Sequence, residues 1–185
     1  ANVYPSWEFL ACGLGEGAPR ACRHCPVEWE SSLHKIGYCP VVQDARIKRH
    51  LVWIAEERNG FQTGWEVFLE PHPRDFTEEL FKPHLVLGKG VHAKVVDITV
   101  RYSQLTTWSD VATKKARKYQ HLVPDVRALT SSTETEFLGF PIGARGKFYK
   151  GNERLLSELG LSTSQSKRMV RVFSQRALLS SVDII

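Results

Sequence analysis

Apolar residues along this 185-residue chain change their spacing several times, and each change marks an element. Residues 1–40 are rich in Gly, Pro and Cys and hold no helical or alternating run, the pattern of a small metal-organised unit with a loose N-terminal lead. From Asp44 the spacing turns helical: Ile47, Leu51, Ile54 and Ala55 recur three to four residues apart, Asp44 can cap the start, and Asn59-Gly60 supplies a stop. Residues 65–70 alternate aromatic or apolar with charged side chains before Pro71 and Pro73 forbid continuation, which predicts a short strand. Residues 85–87 and 93–100 flank Gly88-Lys89-Gly90 and read as a β-hairpin feeding the centre of a sheet.

A helix is predicted over 109–121, opened by Ser109 with Asp110 and carrying Val111, Lys115, Lys118 and Tyr119 three to four residues apart. Pro124 separates it from a second helical piece over 125–129. Residues 137–142 form a fourth apolar strand, and Gly143-Ala144-Arg145-Gly146-Lys147 leads into helices over 152–159 and 163–181. Strands interleaved with helices give an α/β class, divided into a lead and metal knuckle over 1–40 and a main domain over 41–185. No internal repeat is visible.

Length suffices for one sizeable core plus a small satellite. Hydrophobic residues make up 42% and charged residues 24%, with no apolar stretch near the roughly 20 residues of a membrane helix, so no membrane partner is expected. A net charge of +5 points to a polyanionic partner. The basic residues gather in clusters: Arg46, Lys48, Arg49 and His50; Lys114, Lys115, Arg117 and Lys118; Arg145 and Lys147; Lys167, Arg168 and Arg171. Solvated helix faces are the ordinary outcome for such runs, and the presence of several separate clusters weakens that reading without removing it.

Three of the four cysteines fall with a histidine in the pattern Cys22-x2-Cys25-x8-His34-x4-Cys39. That spacing suits a tetrahedral Zn2+ site better than a secreted disulfide framework and points to a reducing compartment. With four protein ligands no position stays open, so the expected zinc is structural. His24 and Cys12 are spare candidates. The chain opens on Ala1 with no signal-peptide pattern, and a piece of a longer intracellular protein is expected.

Phosphodiester hydrolysis needs hard oxygen ligands for Mg2+ or Mn2+ and a cation for the developing charge. Asp97 interrupts the β-branched run Val95-Val96-Asp97-Ile98-Thr99-Val100, where a buried carboxylate is costly unless something pairs with it. Glu70 ends the preceding strand, and Lys115 and Lys118 sit about one turn apart on the next helix. Taken singly, Asp97 is equally an edge carboxylate, Glu70 a surface residue and the lysines a solvated face.

In order, the chain carries Cys22-Cys25-His34-Cys39, Trp65 with Glu70-Pro71, Lys82-Pro83-His84-Leu85-Val86, Val96-Asp97-Ile98-Thr99-Val100-Arg101-Tyr102, Lys115-x2-Lys118-Tyr119 and Phe140-Pro141-Ile142-Gly143-Ala144-Arg145-Gly146-Lys147. From about residue 20 onward this order resembles the C-terminal region of site-specific non-LTR retrotransposons that insert into large-subunit ribosomal RNA genes. The resemblance implies a restriction-endonuclease-like core, a mixed sheet flanked by helices, behind a zinc knuckle. It implies Asp97 as the second acidic metal ligand, Lys115 and Lys118 as lysines moved from strand to helix, Thr99 where a strand lysine would stand, and Glu70 as an additional acid. Pro83-His84 departs from the family's Pro-Asp, and an imidazole nitrogen suits Mn2+ or Zn2+ better than Mg2+.

The implied activity is a metal-dependent nick in target DNA whose freed 3′ hydroxyl primes reverse transcription. Double-stranded target DNA, the element's RNA and the other domains of the same polyprotein are the implied partners, and the nucleus is the implied place of work. Arg46, Lys48, Arg49, Arg101, Arg145 and Lys147 are the candidate DNA contacts. Two alternatives stay open at this point: a non-catalytic nucleic-acid clamp of the same protein, and an unrelated cellular zinc-binding protein. No Tyr-x-Asp-Asp polymerase signature is present.

Overall fold

A computed structural model describes residues 6–10, 20–27, 29–45, 64–73, 79–102 and 107–184. A short helix α1 (Trp7–Leu10) is followed by a π-helical turn over His34–Tyr38 and a 3-10 turn over Pro40–Val42. Then come strands β1 (Glu66–Leu69), β2 (Leu85–Lys89) and β3 (His92–Arg101), helices α2 (Trp108–Arg117) and α3 (Val123–Thr130), strand β4 (Glu134–Gly143), and helices α4 (Asn152–Glu158) and α5 (Thr163–Val182). The helix predicted from Asp44 begins in helical backbone at residues 43–45, and the rest of it lies outside the described residues.

The four strands form one mixed sheet in the order β1-β2-β3-β4, antiparallel up to β3 and parallel between β3 and β4. The predicted hairpin therefore supplies the two central strands, with Gly90 at φ 58 making the turn that an L side chain resists. A parallel neighbour requires a crossover, and α2 and α3 provide it.

Alternation decides what each face buries. Leu85, Leu87, Val96, Ile98, Phe140 and Ile142 face α4 and α5, whose Leu155, Leu156, Phe173 and Ala177 complete that half of the core. Val86, Ala93 and Val95 face the crossover and meet Tyr119, Leu122 and Val126. Each of these larger side chains contributes about 1.5–3 kcal/mol by leaving water. Because β3 is covered on both faces, its polar residues need partners: Lys94 is answered by Glu136 of β4 and Glu158 of α4, and Arg154 binds the same two carboxylates. Ile36 of the π-helical turn is fully buried in the same cluster as Leu85 and Phe140, so the cysteine-rich region packs onto the main core.

Several boundaries differ from the sequence expectation. The crossover helix starts at Trp108 because Thr107, not Ser109 or Asp110, is its cap, accepting the Asp110 N–H at 3.3 Å. Its predicted single run to 121 breaks after Arg117 into a 3-10 turn over Gln120–Leu122. Pro124 sits in the first turn of α3, where the missing N–H costs nothing, so it begins that helix. The 93–100 and 137–142 strands extend to ten residues each because they pair in parallel along their full length. No helix among the described residues is long and apolar enough to cross a membrane.

Phe140 stacks edge-on against Phe148 at 5.9 Å and Phe173 at 5.6 Å, joining β4 to α5. Phe140→Ala is expected to cost about 3–5 kcal/mol, read as a lower urea midpoint at unchanged slope.

Candidate metal centre and cationic cleft

Two local turns bring the cysteine-rich ligands together. The Cys22 N–H donates to the Val27 carbonyl at 2.9 Å, folding Cys22 and Cys25 back on one another. The Cys39 N–H donates to the His34 carbonyl at 2.7 Å, closing the π-helical turn so that His34 and Cys39 face the same point. The four ligand atoms lie within 4.8 Å of one another, with Cys25 Sγ 3.2 Å from His34 Nε2 and Cys22 Sγ 4.0 Å from Cys39 Sγ. A tetrahedral Zn2+ separates such atoms by about 3.5–3.8 Å. The set fits, and it can hold a metal ion such as zinc. Burial pushes the Cys22 thiol up, whereas at Cys39 burial is outweighed by hydrogen bonds from the backbone of Val41 and Val42 and from neighbouring thiols, which hold it down. Burial alone favours thiols, and a bound cation would favour the thiolates.

Beside this cluster lies a residue that spacing does not reveal. Glu30 is 1% exposed, and its carboxylate accepts the backbone N–H groups of Trp7 at 3.1 Å and Arg23 at 2.9 Å, plus the Arg23 guanidinium at 2.7 Å. Arg23 also lies over the Trp7 ring at 5.5 Å, and Ser6 reaches Ser32 at 3.1 Å. Residues 6–10 are thus tied to the knuckle, which corrects the expected loose lead for that segment. Burial raises the Glu30 pKa, but the Arg23 side chain and the two N–H donors more than offset it and hold it at about 2.

Asp97 occupies the middle of β3 at 1% exposure. Leu69 pairs with Leu85 and Leu85 with Val96, so one step outward Glu70, His84 and Asp97 follow in a single row across three strands. The Glu70 N–H donates to the His84 carbonyl at 3.0 Å, and Glu70 takes a φ of 42 as β1 ends. His84 Nδ1 meets Asp97 Oδ1 directly, and Lys115 Nζ donates to Asp97 Oδ2 at 2.9 Å from α2. Burial would raise the Asp97 pKa, yet His84 and then Lys115 hold the carboxyl below its ordinary value, so it is ionised. Among the described residues, the knuckle is where three or more Cys, His, Asp or Glu ligand atoms gather; Glu70 joins His84 through backbone.

The lysines divide. Lys115 takes Asp97, while Lys118 lies 2.9 Å from the Tyr119 hydroxyl and over its ring at 4.6 Å. Tyr119 is buried, donates to the Lys82 carbonyl at 3.2 Å, and is held well above its usual pKa by burial and by the nearby Asp97 charge. Arg101, Lys114, Lys115 and Lys118 line an open cleft of about 360 Å³ with Val111 and Asp110. Arg145 lies over Tyr102 at 4.9 Å and Lys147 over Trp108 at 5.9 Å, because the Ala144 N–H donates to the Arg101 carbonyl and brings the turn after β4 alongside. Arg46, Lys48 and Arg49 lie outside the described residues. Spacing gives no role to Glu30, one of two glutamates flanking Trp29, and it places Tyr119 in the Lys115-x2-Lys118-Tyr119 motif without the buried hydroxyl that the fold assigns it.

Two outcomes follow. Replacing Cys39 with Ser is expected to weaken Zn2+ binding at least tenfold in a chelator competition and to lower Tm only when zinc is supplied to both proteins. Glu30 is ionised well below its unfolded value of 4.5, so its contribution of about 3 kcal/mol is fully present above that pH and lost as pH falls toward about 2. The stability gap between the wild type and Glu30→Gln should therefore be constant near neutrality and close in acid; a gap independent of pH would refute the assignment.

No family model matches the chain. Over 153 residues, 80% of its length, it is 31% identical to the retrovirus-related Pol polyprotein from type-1 retrotransposable element R2 of Popillia japonica. The match covers 21% of that protein, so the chain spans about a fifth of the length of this curated relative. The similarity supports a non-LTR retrotransposon protein, and a role in retrotransposition is consistent with it.

Proposed function

We propose that the chain is the target-DNA-nicking module of a non-LTR retrotransposon protein, with a restriction-endonuclease-like core and a structural zinc knuckle. The observation that carries this reading is the row Glu70, His84, Asp97 across three strands, met by Lys115 from the crossover helix at the wall of a basic cleft. An ionised, buried carboxylate beside clustered cations is the arrangement that phosphoryl chemistry needs. The relative's name describes a Pol polyprotein of a retrotransposable element, which agrees with this role.

Asp97 and His84, with Glu70 at the next register position, would hold the divalent ion once Asp97 exchanges a present partner for it, and the imidazole suits Mn2+ better than Mg2+. When bound, that ion supplies Lewis-acid stabilisation of the phosphate and a more acidic water. The chain's own residues do the rest. Arg101, Lys114 and Lys118 draw the DNA backbone into the cleft, and Lys115 stands between Asp97 and the cleft, where charge develops as the phosphodiester opens. Arg145 and Lys147, anchored over Tyr102 and Trp108, extend the phosphate track beyond it. The nick in target DNA, ribosomal in the families it resembles, would supply the primer for reverse transcription of the element's RNA by other domains of the polyprotein, in the nucleus.

Two observations favour a second reading, a non-catalytic clamp: His84 stands where an acid is expected, and both Asp97 oxygens are already engaged. Nicking of supercoiled plasmid and of a ribosomal-gene duplex in Mg2+ or Mn2+ separates the two. Asp97→Ala is expected to reduce nicking at least on the order of 10²-fold while DNA binding and its salt dependence persist. His84→Asp is expected to raise the rate in Mg2+ more than in Mn2+. Binding without nicking by every variant would leave the clamp.

A further inference from the structure

Gly139 of β4 is the register partner of Asp97. Its backbone is not in the left-handed region, since among the described residues the glycines with positive φ are Gly64, Gly90, Gly146 and Gly160, so conformation does not require glycine here. Space does. A Cβ at position 139 would lie 2.2 Å from the carbonyl oxygen of Ala112, 2.7 Å from its Cα and 2.8 Å from its carbonyl carbon. All three are backbone atoms of α2, so no rotamer change can relieve the contact; the helix would have to move. Relaxing such a contact to ordinary van der Waals separation means a shift of about 1 Å or more.

Ala112 is three residues before Lys115, on neighbouring turns of the same helix face. Lys115 Nζ reaches Asp97 Oδ2 at 2.9 Å, and a helix shift of about 1 Å takes the pair out of the hydrogen-bonding range at the present side-chain geometry, so the lysine stem would have to change rotamer to keep the bond. The same helix also carries Val111 and Lys114 of the cleft wall.

We propose that Gly139 is a positioning residue of the candidate site: its missing side chain seats α2 directly on β4, and that seating puts Lys115 on Asp97 and sets the wall of the cationic cleft. The inference rests on the nuclease reading for its consequence in catalysis, but its geometry stands apart from that reading. Val67, Leu87 and Leu138 lie on the opposite face of the sheet, so the contact is not a general thinning of the core.

Three measurements test it. In the wild-type chain, nuclear Overhauser contacts are expected between the Gly139 Hα protons and the Ala112 Hα proton; their absence overturns the seating whether or not any variant folds. In Gly139→Ala, the loss of Tm caused by Lys115→Met is expected to shrink to near zero, because the lysine has already left the carboxylate, whereas in the wild type it is substantial. Strictly additive losses overturn the proposal. If the losses are non-additive, Gly139→Ala should also lower the nicking rate on the order of 10²-fold at unchanged DNA affinity. Coupled stabilities without nicking by any protein, wild type included, would sink the nuclease reading and leave the positioning role intact.

Discussion

A carboxylate held at 1% exposure in the middle of a sheet is the constraint around which the main domain is built. Removing Asp97 from water costs several kcal/mol unless its charge is met, and breaking a buried ion pair by removing one partner is correspondingly severe. Two partners from different elements meet it: His84, just before the adjacent strand β2, and Lys115 from the crossover helix. Both depend on placement far from Asp97. A one-residue slip of β2 would turn His84 to the other face, and a helix seated higher on β4 would withdraw Lys115. The register of the hairpin, the full-length parallel pairing of β3 with β4 and the bare backbone at Gly139 therefore all serve one charge.

The cysteine-rich region obeys a related logic at its own scale. Glu30 is buried against Arg23 and two backbone N–H groups, and this joins residues 6–10 to the turns that carry the four metal-ligand candidates. Ile36, inside the π-helical turn between His34 and Cys39, lies in the same apolar cluster as the central strands. The segment that carries His34 and Cys39 is therefore packed on the sheet through Ile36, and an ion held there would bind the folded arrangement of both.

Charge on the surface is organised by packing more than by composition. Lys118 and Lys115 sit about one turn apart, yet one lies on a tyrosine and the other on the buried acid. Arg145 and Lys147 are held over the aromatic rings of Tyr102 and Trp108, which keeps their charges at the same end of the sheet as Arg101. A cleft lined by one acid and four cations, one of them paired with Asp97, is the result.

What the sequence by itself determined is what short-range chemistry encodes. The Cys-x2-Cys and His-x4-Cys spacings bring ligands together through two local turns; the β-branched run around Asp97, flanked by a glycine turn, specifies a central hairpin; and the alternation of apolar residues assigns each strand two faces. Asp97 stood out because a charge inside such a run demands a partner. The partners themselves were decided only in three dimensions. Nothing local distinguishes Lys115 from Lys118, Glu30 from a surface glutamate, or Gly139 from any strand glycine. Strand register and helix seating are sums over many distant contacts, and a single side chain's role is fixed by which backbone the fold brings against it.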